Sequence, residues 1–407
     1  MQLHVITSLS IAFWGLQLAA QTAEEPKKPF ADKFELHGYG EMTFNVFDWE
    51  TYPDKRNNID LNRIVFEPEY AFSEKVKLEM EIEFEHGGTG ATMEFDKFEE
   101  FGEFEMEIEK GGEVIIEELE IAWQAKPWLE LKAGRIAVPV GHIAAYGEPL
   151  DYMTSTYNNM EANLIPAAWY ENGIGAEVEW KKLAFELAII SGLDNSAFSS
   201  ANWIQRGNQS RFEYVNAEAF ALAARLDYAI KDDVVFGLSS YTGNSTPNRP
   251  KPDITSDGIV QIVDAHLHAQ FSAFTFNAMF LSGTLQNAAT ISEANRNLSN
   301  NLNVKRTPIA SAVLGYFAEA GYNVLSCLEK DIHRLDVFAG YYYYDSMYKT
   351  SGEIFDNPRW ERSEIRTGLN YCWNKNIAIK SDYTFRTIGI PDLNKENTFT
   401  LALAYHF

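Results

Sequence analysis

The sequence predicts an all-β chain, a transmembrane antiparallel up-and-down β-barrel of about 16 strands. Three observations carry that prediction. From Val76 to Glu85 the residues Val76, Leu78, Met80, Ile82 and Phe84 occupy one parity, and Lys77, Glu79, Glu81, Glu83 and Glu85 the other. Successive side chains of a strand point to opposite faces, so one face is wholly apolar and the other wholly charged. Aromatic residues make up 14% of the chain, with 20 Tyr, 27 Phe and 9 Trp, more than a core needs and the composition of interfacial girdles. Beyond the N-terminus no apolar run reaches the length of a membrane helix, so a crossing would be made by strands.

The first residues bear on compartment. Ile6 to Leu18 is an apolar stretch of signal-peptide length, and Leu18-Ala19-Ala20-Gln21 places small residues before a cut near Ala20, although the n-region carries His4 and neither Lys nor Arg. The division expected is a signal peptide over 1–20, a periplasmic lead-in over 21–32 and an outer-membrane barrel over 33–407. Two cysteines, Cys327 and Cys372, then sit in a compartment that permits a disulfide, and they form the one candidate pair. A formal net charge of −24 excludes nucleic acid as a partner, because neutralising phosphates takes clustered Lys and Arg.

In chain order, the first strand covers about Phe34 to Phe47, with Leu36, Met42, Phe44 and Val46 outward and Glu35, His37, Tyr39 and Glu41 inward. In the second, Ile64, Phe66, Tyr70 and Phe72 oppose Arg63, Glu67 and Glu69. Ser73 to Lys75 turns into the strand from Val76. The link from 86 to 112 suits a long loop whose end, through Phe104, Met106 and Ile108, extends the barrel strand. Leu119, Ile121 and Trp123 alternate with Glu118, Glu120 and Gln124, and Leu129, Leu131 and Ala133 with Glu130 and Lys132. The longest connection, Ala137 to Tyr170, contains Pro139-Val140-Gly141 and is expected to fold inward and narrow the pore. Further strands follow at about 174–180, 183–190, 220–228, 234–241, 259–269, 274–285, 310–324, 335–344, 360–373 and 377–386, with short turns at Lys181–Lys182 and Lys231–Asp233. The closing strand ends Leu401, Leu403, Tyr405, Phe407 on one parity.

Gly38-Tyr39-Gly40-Glu41 in the first strand, Gly134-Arg135 with Pro139-Val140-Gly141 after the fifth, and the terminal Tyr405-His406-Phe407 resemble the phosphate-selective porin O and P family. The resemblance implies a sixteen-stranded, trimeric porin among outer-membrane lipid and lipopolysaccharide. It also implies that the terminal Phe407 is presented to the barrel-assembly machinery, and that no cofactor is held. Family members selective for phosphate line the pore with Arg and Lys.

The inward parity of this chain is acidic instead. The candidate pore-lining acids are Glu67, Glu69, Glu79, Glu81, Glu83, Glu85, Glu118 and Glu120, with Glu177 and Glu179 beyond them. The candidate basic residues are Arg63, Arg225, Arg362, Arg366, Lys380 and Arg386. Rings of carboxylates favour cations, so the expectation is a diffusion channel for small hydrophilic solutes that prefers cations or neutral molecules. Closure brings Arg362, Arg366 and Arg386 toward the first two strands, so bases would face acids across the lumen. Asp264, His266 and His268 share a strand face and could ligate a metal, though polar residues alternating toward a wet lumen account for them and no metal is expected. No grouping of Ser, His and Asp stands out as a nucleophile with its base, so catalysis is not expected.

Overall fold

The computed structural model describes residues 33–88, 91–95, 106–110, 112–209, 214–231, 233–298, 306–326 and 333–407. The predicted leader over 1–20 and lead-in over 21–32 lie outside the described residues, as does Cys327. The pairing of Cys327 with Cys372 therefore lies outside them too. Cys372 itself is half-buried near the end of its strand.

The strands in order are β1 (Phe34–Trp49), β2 (Asn58–Ser73), β3 (Val76–Glu85), β4 (Ala91–Phe95), β5 (Met106–Lys110), β6 (Glu113–Lys126), β7 (Leu129–Ala137), β8 (Tyr170–Trp180) and β9 (Leu183–Ser191). They continue with β10 (Phe220–Lys231), β11 (Val234–Asn244), β12 (Ile259–Phe271), β13 (Phe274–Leu285), β14 (Ala312–Asn323), β15 (His333–Lys349), β16 (Glu361–Trp373), β17 (Ile377–Ile388) and β18 (Glu396–His406). All but β4 and β5 join one closed antiparallel barrel of sixteen strands, each beside its neighbour in sequence, and β1 pairs with β18 to complete the ring. Closure leaves the barrel no unpaired edge. The terminal strand is held by pairs such as Gly40↔Tyr405 and Phe44↔Leu401.

The predicted strands of the barrel and the tight turns at 74–75 and 181–182 are recovered, and these turns share one end of the barrel with both ends of the described chain; the third predicted turn includes Asp232, which lies outside the described residues. The 86–112 region departs from expectation. Residues 106–110 do form a strand, but it pairs with 91–95 in a separate two-stranded ribbon rather than extending the barrel. The charged and apolar alternation over 103–109 is compatible with either pairing, so periodicity could not select the partner.

The outer face carries the apolar parity. Leu119, Ile121 and Trp123 on β6 and Leu401 and Leu403 on β18 are exposed there, as a lipid-facing band requires. Among the described residues no helix is long and apolar enough to cross a membrane.

Candidate functional site: a divided lumen

The interior of the barrel is built by inward parities and by one connection. The segment 138–169, between β7 and β8, carries two short helices, α1 (Ile143–Tyr146) and α2 (Asn159–Leu164), and it runs through the lumen. Gly141 has φ +94°, a conformation that favours glycine, and both of its backbone polar groups bond to the wall. Its N–H donates to Ser239 Oγ at 3.0 Å and Asp264 Oδ2 at 3.2 Å, and its carbonyl accepts from Arg225 Nη1 at 2.6 Å. Strands β10, β11 and β12 supply those three side chains. On the opposite side of the ring, Tyr152 donates to Glu41 of β1 at 2.7 Å, and Arg63 of β2 donates to the Gly147 carbonyl at 2.7 Å. Lys380 of β17 donates to the carbonyls of Pro149, Tyr152 (2.6 Å) and Thr154 (3.1 Å), while Asp382 accepts from the Ser155 N–H at 2.6 Å. Because β11 stands half-way round the ring from β1, the segment crosses the lumen from wall to wall. It folds inward as the sequence predicts.

Between these anchors α2 packs on β14 and β15, and the approach is close enough that a Cβ on Gly315 would lie 2.5 Å from Met160 Sδ. Asn158 caps α2, its side chain accepting from the Glu161 N–H at 2.8 Å. The Glu161 carboxylate is buried and accepts from the Ile143 N–H at 3.0 and 3.1 Å, so it ties α2 to α1. Burial pushes its pKa up to about 7, against these hydrogen bonds, which favour the charged form. Burial, with His266 and His268 next in effect, holds the His142 imidazole well below its ordinary value.

On the β8–β15 side the lumen is filled with apolar side chains. Inward Ile190, Ala223, Tyr241, Val260, Ile262, Leu281 and Val313 pack with Val138, Met160, Leu164, Ile165 and Trp169 of the crossing segment. Leu193, Phe198, Trp203 and Ile204 from the β9–β10 connection join them, as do Ile291 of α3 (Ala288–Arg296) and Ile309. The wet lumen expected from the sequence is thus corrected on this side. The sequence carries a signal for it, since Val260 and Ile262 set apolar residues on the parity opposite the outward Val263, so the inward face of this stretch is not polar.

The β2–β9 side is the acidic one. Glu79, Glu81, Glu83 and Glu120 are buried on the interior face, and Glu67, Glu69, Glu85 and Glu118 are half-buried. Cross-strand partners are of like charge, as in Glu69↔Glu79, Glu79↔Glu120, Glu81↔Glu118, Glu130↔Glu177 and Glu177↔Glu186. Glu81 accepts from Tyr170 at 2.5 Å and Tyr39 at 3.3 Å. Lys132 lies 2.6 Å from Glu177 and 3.3 Å from Glu120, and Lys77 lies 3.3 Å from Glu69. A cavity of 170 Å³ lies between this wall and the crossing segment, and Glu67, Glu81, Glu118, Glu130, Glu177 and Glu186 line it. Glu117 joins the wall through a bulge, where the register slips between Glu81 and Ile82, and it pairs with Arg135 at 3.1 Å. Strict alternation puts Glu117 with the apolar parity, so a one-residue slip hides it from the sequence.

The predicted bases are all engaged. Arg63 pairs with Glu41 at 3.1 Å, Arg225 with Asp227 at 2.8 Å, and Arg386 with Glu396 at 2.8 Å and Glu364 at 3.5 Å. Arg366 reaches Glu364 at 3.6 Å and the Thr156 carbonyl at 3.3 Å. Arg362 lies over the rings of Trp360 and Tyr344. Arg63, Arg225, Arg366 and Lys380 contact the crossing segment, and Arg63 and Arg225 also line the cavity beside the acids.

Asp264, His266 and His268 do not converge. His266 lies between Asp264 (2.7 Å) and Asp227 (3.1 Å), whereas His268 bonds Asn277 at 2.7 Å and stacks on Tyr146. Ser239 bonds Asp264 rather than an imidazole, so this grouping lacks the contact between nucleophile and base that acyl transfer needs.

No family model matches the chain. It is 25% identical over 375 residues to an uncharacterized protein of Aquifex aeolicus (strain VF5), covering 91% of this chain and 78% of that one. Its fold is similar to those of solved outer-membrane proteins. OmpF of Salmonella typhi, solved in complex with daunomycin, superposes with a TM-score of 0.55 at 11% identity, over 92% of this chain and 97% of that one. The outer membrane channel DcaP of Acinetobacter baumannii gives 0.53 at 9% identity, and OmpT of Vibrio cholerae 0.50 at 9%, each over 92% and 97% of the two chains. The fold is that of a porin-like, sixteen-strand outer-membrane barrel.

Proposed function

We propose that this chain is an outer-membrane diffusion channel for small hydrophilic solutes, with a lumen narrowed by segment 138–169 and a preference for cations or neutral molecules over anions. The observation that carries the reading is the crossing of a closed barrel by a segment that leaves its cavity against the carboxylates of β2, β3, β6, β7, β8 and β9. A low-dielectric wall focuses that field into the passage, and carboxylates favour cations there. Kinship with phosphate-selective porins would instead call for free cationic groups. Arg63, Arg225, Arg366, Lys380 and Arg386 are each committed to a carboxylate or to a carbonyl of the crossing segment, which argues against that anion path. Export with cleavage near Ala20, seating in lipid and lipopolysaccharide, assembly through Phe407 and a homotrimeric state belong to the same proposal.

A second reading, a barrel that conducts nothing and serves as a surface or structural protein, draws on the apolar filling of the β8–β15 side. Single-channel recording in a planar bilayer with asymmetric KCl separates the two. Discrete conductance with a reversal potential on the potassium side supports the channel. Silence from folded, inserted protein supports the filled barrel, and a reversal potential on the chloride side overturns the cation preference.

A further inference from the structure

We infer that Lys132 is the residue that sets the charge preference of the channel, its ammonium being a tethered cation seated at the place on the acidic wall that a passing cation would take. That role rests on the channel reading above and names the side chain that tunes it.

The acidic wall consists of two rows of carboxylates that are out of step. Across β2, β3 and β6 the row is Glu69, Glu79 and Glu120, and it stops on β7 at Gly134, which stands opposite Glu120. Across β7, β8 and β9 the row is Glu130, Glu177 and Glu186, and it stops on β6 at Gln124, opposite Glu130. Lys132 lies midway between Gly134 and Glu130 on β7, at the joint of the two rows. Its directly opposite neighbours are Ala122 and Gly175, so its reach is diagonal, to Glu120 of one row at 3.3 Å and to Glu177 of the other at 2.6 Å. A primary ammonium is thus already bound between carboxylates of both rows, which shows where the wall attracts a cation.

The other bases at the cavity are spent elsewhere. Seven carboxylates line it, Glu148 of the crossing segment among them, together with Arg63, Lys132 and Arg225. Arg63 and Arg225 form their ion pairs with Glu41 and Asp227, neither of which lines the cavity, and both also hold carbonyls of the crossing segment. Lys132 makes its ion pairs with the wall itself. A lysine is a point charge on a flexible stem rather than a fixed fork, and the methyl of Ala122 and the bare backbone of Gly175 leave that stem room to turn. Lys77 also pairs with the wall, at 3.3 Å from Glu69, but it is outside the cavity lining and its side chain is 38% exposed, against 14% for Lys132. Solvent and salt screen the more exposed charge further, so Lys132 is the lysine whose charge the passage feels.

The test uses the full chain. In planar bilayers under asymmetric KCl, Lys132→Met is expected to raise the permeability of potassium relative to chloride by about tenfold. Adding Glu177→Gln to Lys132→Met restores the net charge of the wall and is expected to bring the ratio back toward wild type. Lys77→Met removes the same charge outside the cavity and is expected to move the ratio by less than about twofold. A conducting channel whose ratio is unchanged by Lys132→Met, or is changed equally by Lys77→Met, overturns the role of Lys132 and leaves the channel reading intact. If the wild-type protein conducts nothing, the channel reading fails on its own, and stability decides the seat. Thermal unfolding of Lys132→Met in detergent, or its refolding yield if it does not fold in low salt, is compared in methylammonium chloride and tetraethylammonium chloride at equal concentration. Recovery in methylammonium alone, with no difference between the salts for wild type, upholds the seat, because the free ion is the head group of the missing side chain. Equal effects of the two salts, or none from either, overturn it.

Discussion

Replacing Lys380 by Met should release the crossing segment while leaving the barrel closed. Lys380 is 1% exposed, and its ammonium donates to three carbonyls of that segment, those of Pro149, Tyr152 and Thr154, and lies 4.1 Å from the Tyr152 ring centroid. A hydrogen bond to a charged group contributes about 1.5–3 kcal/mol. Three bonds from one ammonium do not add, and each buried carbonyl left without its donor costs about 1–3 kcal/mol, so the expected loss is about 3–5 kcal/mol. That loss falls on the seating of 149–156 and not on the strand ladder, because β17 keeps its backbone pairing to β16 and β18. The equilibrium between seated and released segment should move by about two to three and a half powers of ten. Hydrogen exchange at the amides of 149–156 should accelerate by a similar factor, and single-channel recordings should show a larger and noisier conductance. The control is exchange in β17 itself, which should hold. Unchanged exchange at 149–156 in a folded variant would refute the claim that Lys380 pins the segment.

Three more outcomes follow from the same geometry. Changing Glu79, Glu81 and Glu83 together to Gln should shift the reversal potential in asymmetric KCl toward anions, and the wild-type preference should weaken as salt rises toward a Debye length of about 3 Å at 1 M. On the outer face, Ile82→Arg should cost about 2–4 kcal/mol of barrel stability near the bilayer midplane, measured by denaturant unfolding in lipid vesicles, while Glu74→Gln should cost nothing measurable. Glu161 gives a pH dependence. Its folded pKa, about 7, lies above its unfolded value, so the folded form binds more protons, and its contribution to seating the segment is fullest in acid and is lost as pH rises toward 7. His142, held below its ordinary value, acts with the opposite sign, its contribution falling as pH drops. Comparing exchange at 158–165 in wild type and Glu161→Gln between pH 5 and pH 8 isolates the carboxyl, and an identical pH profile in the two proteins would reject its role.

The sequence by itself determined the barrel. A strict two-residue period with aliphatic residues on one parity of β3, β6 and β18 can be satisfied only by strands with one apolar exterior, and the short turns 74–75 and 181–182 set adjoining strands antiparallel. It also placed Glu79, Glu81, Glu83 and Glu120 on the interior face, because parity is local and survives any arrangement of the ring. What only the tertiary structure decided is how the interior is partitioned. Arg225, Glu41 and Lys380 look alike in sequence as inward polar residues, yet each is consumed in anchoring segment 138–169, since they come together only when strands from distant parts of the chain close the ring. The apolar parity of β12 and β13 at Val260, Ile262 and Leu281 acquires its meaning in the same way, from connections that fold over and into the lumen. The Glu117 bulge and the 91–95 with 106–110 ribbon depend on register and on choice of partner, and a period of two is blind to both.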